Sequence, residues 1–143
     1  MGRRSRRDAS GSADVILIDT SAWIEFLRDT GSPVCRKVDA LLGSEIAVCD
    51  PVRMEVLAGA RGPGHLTALR GLLARGVTLP TTSADYETAA ALYRICRQRG
   101  GTVRKFTDCL IAAVAIASDC PILHSDTDFE TLAKHTALRT ASP

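Results

Sequence analysis

Three short apolar runs set the architecture of this chain. Val15-Ile-Leu-Ile18, Ile46-Ala-Val48 and Pro121-Ile-Leu-His124 are continuous rather than alternating, and each is too short for a helix. Runs of that kind read as strands buried on both faces, as in a parallel sheet. The segments between them carry apolar residues at helical spacing. Trp23, Phe26 and Leu27 stripe Ser21 to Arg28; Val34, Val38, Leu41 and Leu42 stripe Pro33 to Leu42. Pro51 opens a helix reaching about Gly59, at a position where its missing N–H costs nothing. GARGPG (59–64) reads as a loop, without the G-K-[ST] ending of a phosphate-binding loop. Helices follow at His65 to Ala74, Ala84 to Arg99 (ended by Gly100-Gly101), Thr107 to Ser118 and Thr127 to His135. Val77 to Leu79 reads as a further strand and Ala137 to Thr140 as an edge strand. Strands alternating with helices predict an α/β fold with a mostly parallel sheet. A chain of 143 residues suits one domain with a substantial core.

Other classes are excluded early. The five cysteines are odd in number and scattered, with no C-x-x-C pair, which argues against a disulfide framework and suits a reducing cytoplasm. The longest apolar stretch, Cys109 to Ala117, is too short to span a bilayer. Residues 1–14 are polar and basic and read as a flexible arm; no apolar run follows RRSRR, as a secretory signal would need. The net charge of +2 is already present in that arm, so the rest of the chain is neutral overall. Any nucleic-acid contact must therefore come from local patches.

Four acidic positions stand where an apolar or neutral residue is expected. Asp19 directly follows the first strand, and open parallel sheets bind ligands beyond the carboxyl ends of their strands. An Asp there also caps helices. Glu55 has Val52, Ala58 and Gly59 as its same-face neighbours, so it either finds a partner or lies at the solvated edge of that face. Asp108 shares its helix face with Ile111, Ala112 and Ala115, although Thr107 or Asp108 also suits a helix cap. Asp126 follows the strand at Ile122, with Asp128 two residues on; one of this pair suits a cap and Asp126 is the preferred site residue. A parallel sheet brings these groups to one edge, with Glu55 and Asp108 both expected in helix first turns. Packed carboxylates need a cation, and hard oxygen ligands suit Mg²⁺ or Mn²⁺. Such ions promote phosphodiester hydrolysis.

Asp19-Thr-Ser21, Met54-Glu55-Val-Leu-Ala-Gly59, Thr107-Asp108-Cys-Leu-Ile-Ala-Ala113 and His124-Ser-Asp126-Thr-Asp128-Phe129 resemble the motifs of the PIN-domain nucleases, in family order. Within them the chain resembles the VapC-type toxins of bacterial toxin–antitoxin pairs, over about residues 15–140. The resemblance implies a three-layer α/β/α PIN-like fold, with residues 141–143 as a tail. It implies a Mg²⁺- or Mn²⁺-dependent endoribonuclease whose acidic pocket is Asp19, Glu55, Asp108 and Asp126, with Asp128 as a further metal-site acid. Ser21 matches a small hydroxyl residue that supports the first carboxylate or a water at the metal. RNA (tRNA or ribosomal RNA) is the implied substrate, a VapB-type antitoxin the implied partner, and a cytoplasmic homodimer the implied state. The family usually begins almost at its first strand, whereas fourteen residues precede it here.

An acidic pocket repels RNA, so a nuclease needs a basic rim. Arg94, Arg97, Arg99, Arg104 and Lys105 form such a run just before Asp108; the bland alternative is a solvated helix face. Trp23, Phe26 and Leu27 could line a groove for an antitoxin helix, or pack in the core. The histidines make no metal or catalytic pattern. An Asp-nucleophile phosphatase would want a second Asp where Ser21 stands. A non-catalytic PIN-like module binding RNA or protein would be expected to have lost an acid, and none is lost.

Overall fold

The computed structural model describes residues 14–143. The proposed arm, with Arg3, Arg4, Arg6 and Arg7, lies outside the described residues except for Asp14, whose carboxylate pairs with Arg139 at 3.1 Å. The elements run β1 (Ile16–Ile18), α1 (Thr20–Leu27), α2 (Pro33–Leu41), β2 (Ile46–Cys49), α3 (Asp50–Ala58), α4 (Pro63–Leu73), β3 (Val77–Leu79), α5 (Ser83–Gln98), α6 (Phe106–Ala117), β4 (Ile122–Leu123) and α7 (Thr127–His135). The strands form one sheet in the order β3-β2-β1-β4, and every pairing is parallel. Ile16 faces Ile46 across one side of β1, and Leu17 faces Ile122 across the other. All four residues of β2 are buried, so helices cover both faces of the sheet, as its unbroken apolar run requires.

The parallel arrangement is what makes a site. The carboxyl ends of β1, β2 and β4 share one edge, and Asp19, Asp50 and the His124–Asp126 segment leave it there. Trp23, Phe129, Ile111 and Leu132 fill the core behind this edge.

The observed boundaries correct several expectations. α4 begins at Pro63, inside the segment read as a loop, because Pro63 sits in the first helical turn where a missing N–H is harmless. α6 begins at Phe106 with Lys105 at its N-cap and no side-chain cap, so neither Thr107 nor Asp108 caps it. The edge strand expected at 137–140 reduces to a single parallel bridge between Ile122 and Thr140. The amide of Ala141 still donates to the carbonyl of Ile122 at 2.8 Å, which ties the expected tail to the sheet edge. Gly100 and Gly101 close α5 as expected. Gly100 takes a positive φ of 84°, its amide donates to Arg97, and the Gly101 amide reaches back to Cys96 at 2.8 Å.

Candidate active site

Asp19 is both a helix cap and a buried acid. Its Oδ2 accepts from the amide and the hydroxyl of Ser21 at 2.9 and 2.7 Å, capping α1. The Ser21 hydroxyl in turn accepts from the Ser125 amide at 2.8 Å, joining the first strand end to the β4–α7 turn. Its other oxygen, Oδ1, is buried and has no hydrogen-bond partner. Burial raises the Asp19 pKa to about 6 against the lowering effect of the Ser21 bonds, and the negative charge of Glu55 adds to the rise.

Glu55 lies in the second turn of α3, not the first, and it is half-buried with Ala58 and Gly59 exposed beside it. It therefore stands at the edge of an apolar face. The Thr20 hydroxyl donates to its Oε1 at 2.7 Å. Thr20 was missed in the sequence because only the fold brings it to α3.

Asp108, Asp126 and Asp128 form the tightest group, with carboxylate oxygens within 4.8 Å of one another. Asp108 lies in the first turn of α6, fully buried, and its Oδ2 has no hydrogen-bond partner. Burial drives its pKa far above the ordinary carboxylate range; the contact with Asp128 and the charge of Asp19 push the same way, and Lys105 opposes them only in part. Asp126 caps α7 by accepting from the Asp128 amide at 2.9 Å. Burial favours its neutral form, but that amide bond, Lys105 and Arg104 outweigh it and hold Asp126 below the usual value. The choice between Asp126 and Asp128 dissolves: both belong to the cluster, and Asp126 is also the cap.

Two cations close the group from the solvent side. Arg104 contacts Asp126 Oδ1 through Nη2 at 3.0 Å and Asp128 Oδ1 through Nε at 3.2 Å. Lys105 Nζ lies 3.3 Å from Asp126 and 3.7 Å from Asp108. Partial burial works against its charge, yet the carboxylates of Asp108 and Asp126 hold the Lys105 ammonium above its ordinary value. The rest of the basic run stays apart from the acids. Arg94 is exposed, Arg97 lies over the Tyr93 ring, and Arg99 donates to the His135 carbonyl at the far end of α7.

The Trp23 stripe divides between the core and groove readings. Trp23 is fully buried and offers no surface to a partner, and Phe26 packs edge-on against it. Leu27 alone is well exposed, lining a groove between α1, α3 and α4 with Ile24, Leu69, Arg28, Arg61 and Glu55. Burial also pushes the Cys49 and Cys109 thiols up to about 12, so neither supplies a thiolate.

An acid group with buried, unpartnered oxygens is suited to a hard divalent cation, as the PIN fold implies. Comparison with known proteins agrees. The PIN domain family profile matches residues 16–135, and the chain belongs to that family. Within it the chain falls among the VapC ribonucleases. Ribonuclease VapC11 of Mycobacterium tuberculosis is 45% identical over 132 residues, covering 90% of this chain and 98% of that protein. The structure of VapBC-1 from nontypeable Haemophilus influenzae matches with a TM-score of 0.69 at 16% identity, covering 90% of this chain and 97% of that one. VapC20 of Mycobacterium tuberculosis, described as a Sarcin-Ricin loop cleaving toxin, matches with a TM-score of 0.63 at 20% identity, covering 87% and 98%. No described helix is long and apolar enough to cross a membrane.

Proposed function

We propose that this chain is the metal-dependent endoribonuclease toxin of a type II toxin–antitoxin pair, hydrolysing phosphodiester bonds of a tRNA or ribosomal RNA in the cytoplasm. One observation carries the reading: Asp108, Asp126 and Asp128 converge within 4.8 Å, beside buried oxygens of Asp108 and Asp19 that lack hydrogen-bond donors. Asp19, Asp108, Asp126 and Asp128 would hold Mg²⁺ or Mn²⁺, with Glu55 at the rim. When bound, the ion supplies Lewis-acid activation of water and charge relief at the leaving oxygen. The chain's own residues do the rest. Ser21 orients Asp19 and locks it to the β4–α7 turn. Thr20 holds the Glu55 carboxylate at the same edge, poised to accept a proton from an attacking water. The VapC20 description supports a structured RNA target.

Partners follow from the same reading. The VapBC-1 neighbour supports a VapB-type antitoxin. Leu27, Ile24 and Leu69 line the groove that would take its helix, and Glu55 lines it too, where a basic antitoxin side chain would find an acid. A homodimer would cover the exposed Met54, Tyr86 and Phe106, which border a groove of about 680 Å³ between α3, α5 and α6.

The test is cleavage of total cellular RNA by antitoxin-free protein with Mg²⁺, Mn²⁺ or EDTA, alongside Asp108→Asn. Discrete metal-dependent cuts that the variant lacks are expected. Folded protein that cuts nothing with either metal would overturn the reading in favour of a non-catalytic RNA- or protein-binding module.

A further inference from the structure

Arg104 and Lys105 were read in the sequence as a rim for RNA, yet their charges face inward. Arg104 divides its guanidinium between Asp126 and Asp128, and Lys105 bridges Asp126 and Asp108. Every acid of the cluster is thereby paired with at least one of them. The two partners differ in freedom. Side chains of the acids are 11% exposed or less, whereas Arg104 is 65% exposed and Lys105 52%.

The backbone beneath these cations is fixed independently of their side chains. The Arg104 amide donates to Asp128 Oδ2 at 3.2 Å, and Val103 is buried. Gly101 is wedged against α7 so closely that a Cβ would lie 2.8 Å from Thr131 Cγ2. The guanidinium and ammonium can therefore leave the acids by rotamer changes alone, without the loop moving.

We infer that Arg104 and Lys105 are an exchangeable counter-ion that competes with the divalent cation for Asp108, Asp126 and Asp128. The inference rests on the metal-site reading above and deepens it. A divalent ion and these two cations need the same carboxylate oxygens, so entry of one lowers the occupancy of the other. Asp19, a fourth acid beside the cluster, has its Oδ2 held by Ser21 and is paired with neither cation, so it offers the ion a ligand for which the ion need not compete. The metal affinity of this chain is thus set lower than its acids alone would make it.

Calorimetric titration of Mn²⁺ into the full chain, its Arg104→Gln and Lys105→Gln variants and the double variant tests this, with Arg104→Lys as the conservative control. The double variant is expected to bind Mn²⁺ roughly tenfold more tightly than wild type, each single variant less so, and Arg104→Lys close to wild type. The difference should shrink at high salt, because exposed cations are screened. A purely structural role would loosen the acids and weaken binding, the opposite sign. Circular dichroism melting identifies any variant that fails to fold. Equal or weaker Mn²⁺ binding in folded variants overturns the inference and leaves the metal site standing. Absence of binding in wild type and every folded variant overturns the metal site and the inference with it. Binding seen only in the variants supports both.

Discussion

The two sides of the acidic pocket solve the same electrostatic problem differently. On the α6–α7 side, three carboxylates lie under two cations; Asp126 is held below its ordinary pKa, while burial still raises Asp108. On the β1–α3 side, Asp19 and Glu55 are held by the neutral hydroxyls of Ser21 and Thr20, and the Asp19 pKa rises to about 6. Hydroxyls fix geometry but supply no net charge. The comparison teaches that cations offset burial for Asp126, the carboxylate they reach best, while buried Asp108 and Asp19 keep a cost of ionisation that a divalent ion would relieve.

The largest effects should come from removing an acid from either side. Asp108→Asn and Asp19→Asn should each lower RNA cleavage by about 100-fold in a gel assay, in protein that still melts cooperatively. Full activity in both would erase the distinction between ligand and scaffold.

That cost of ionisation should next appear as a pH effect. A carboxyl whose folded pKa lies above its unfolded value is stabilising when protonated, and its contribution is lost as pH rises through the folded pKa. For Asp19 the window runs from 3.8 to about 6, and the loss is on the order of 2–3 kcal/mol. Asp108 extends the same sign to higher pH, and Asp126 opposes it only when pH falls through its depressed pKa. The melting temperature of metal-free protein should thus fall between about pH 4.5 and 7, by several degrees. Asp19→Asn should flatten this slope, and Mn²⁺ should restore the wild-type melting temperature at pH 7. A metal-free melting temperature that rises steadily with pH would show that Asp19 and Asp108 ionise without cost.

Smaller effects belong to the hydroxyls. Ser21→Ala removes one bond to Asp19 and one to the Ser125 amide, and should cost about 1–2 kcal/mol in chemical denaturation and about 10-fold in cleavage. Thr20→Val removes a single half-buried bond to Glu55 and should cost about 1 kcal/mol, with a still smaller loss of cleavage. A larger effect for Thr20 than for Ser21 would make Glu55, rather than Asp19, the organising acid.

Much of this was legible in the chain because it depends on local pattern. Unbroken apolar runs mark buried strands, and acids just beyond Ile18 and Leu123 mark the edge where parallel strands end. The rest depends on tertiary placement. Arg104 meets Asp126 and Asp128 across 22 and 24 residues, so its inward pairing left no local trace and its charge read as a solvent-facing rim. Trp23 shares one helical stripe with Leu27, yet one is core and the other surface, because Leu27 is the last residue of α1 and lines the open groove beside α3 and α4. The short β4 gave too little backbone for the expected 137–140 strand to extend beyond one bridge.

The hydrogen bond from Ser125 to Ser21 spans 104 residues, and β1 lies between β2 and β4 in the sheet. A ribosome making this chain releases Asp19 well before Asp126. Long-range parallel pairing forms slowly, after the local helices. The pocket therefore closes only after β4 and the start of α7 have emerged, and a chain cut short of them cannot assemble it. For the ribonuclease proposed above, this ordering keeps its acids apart until both halves of the pocket have been made.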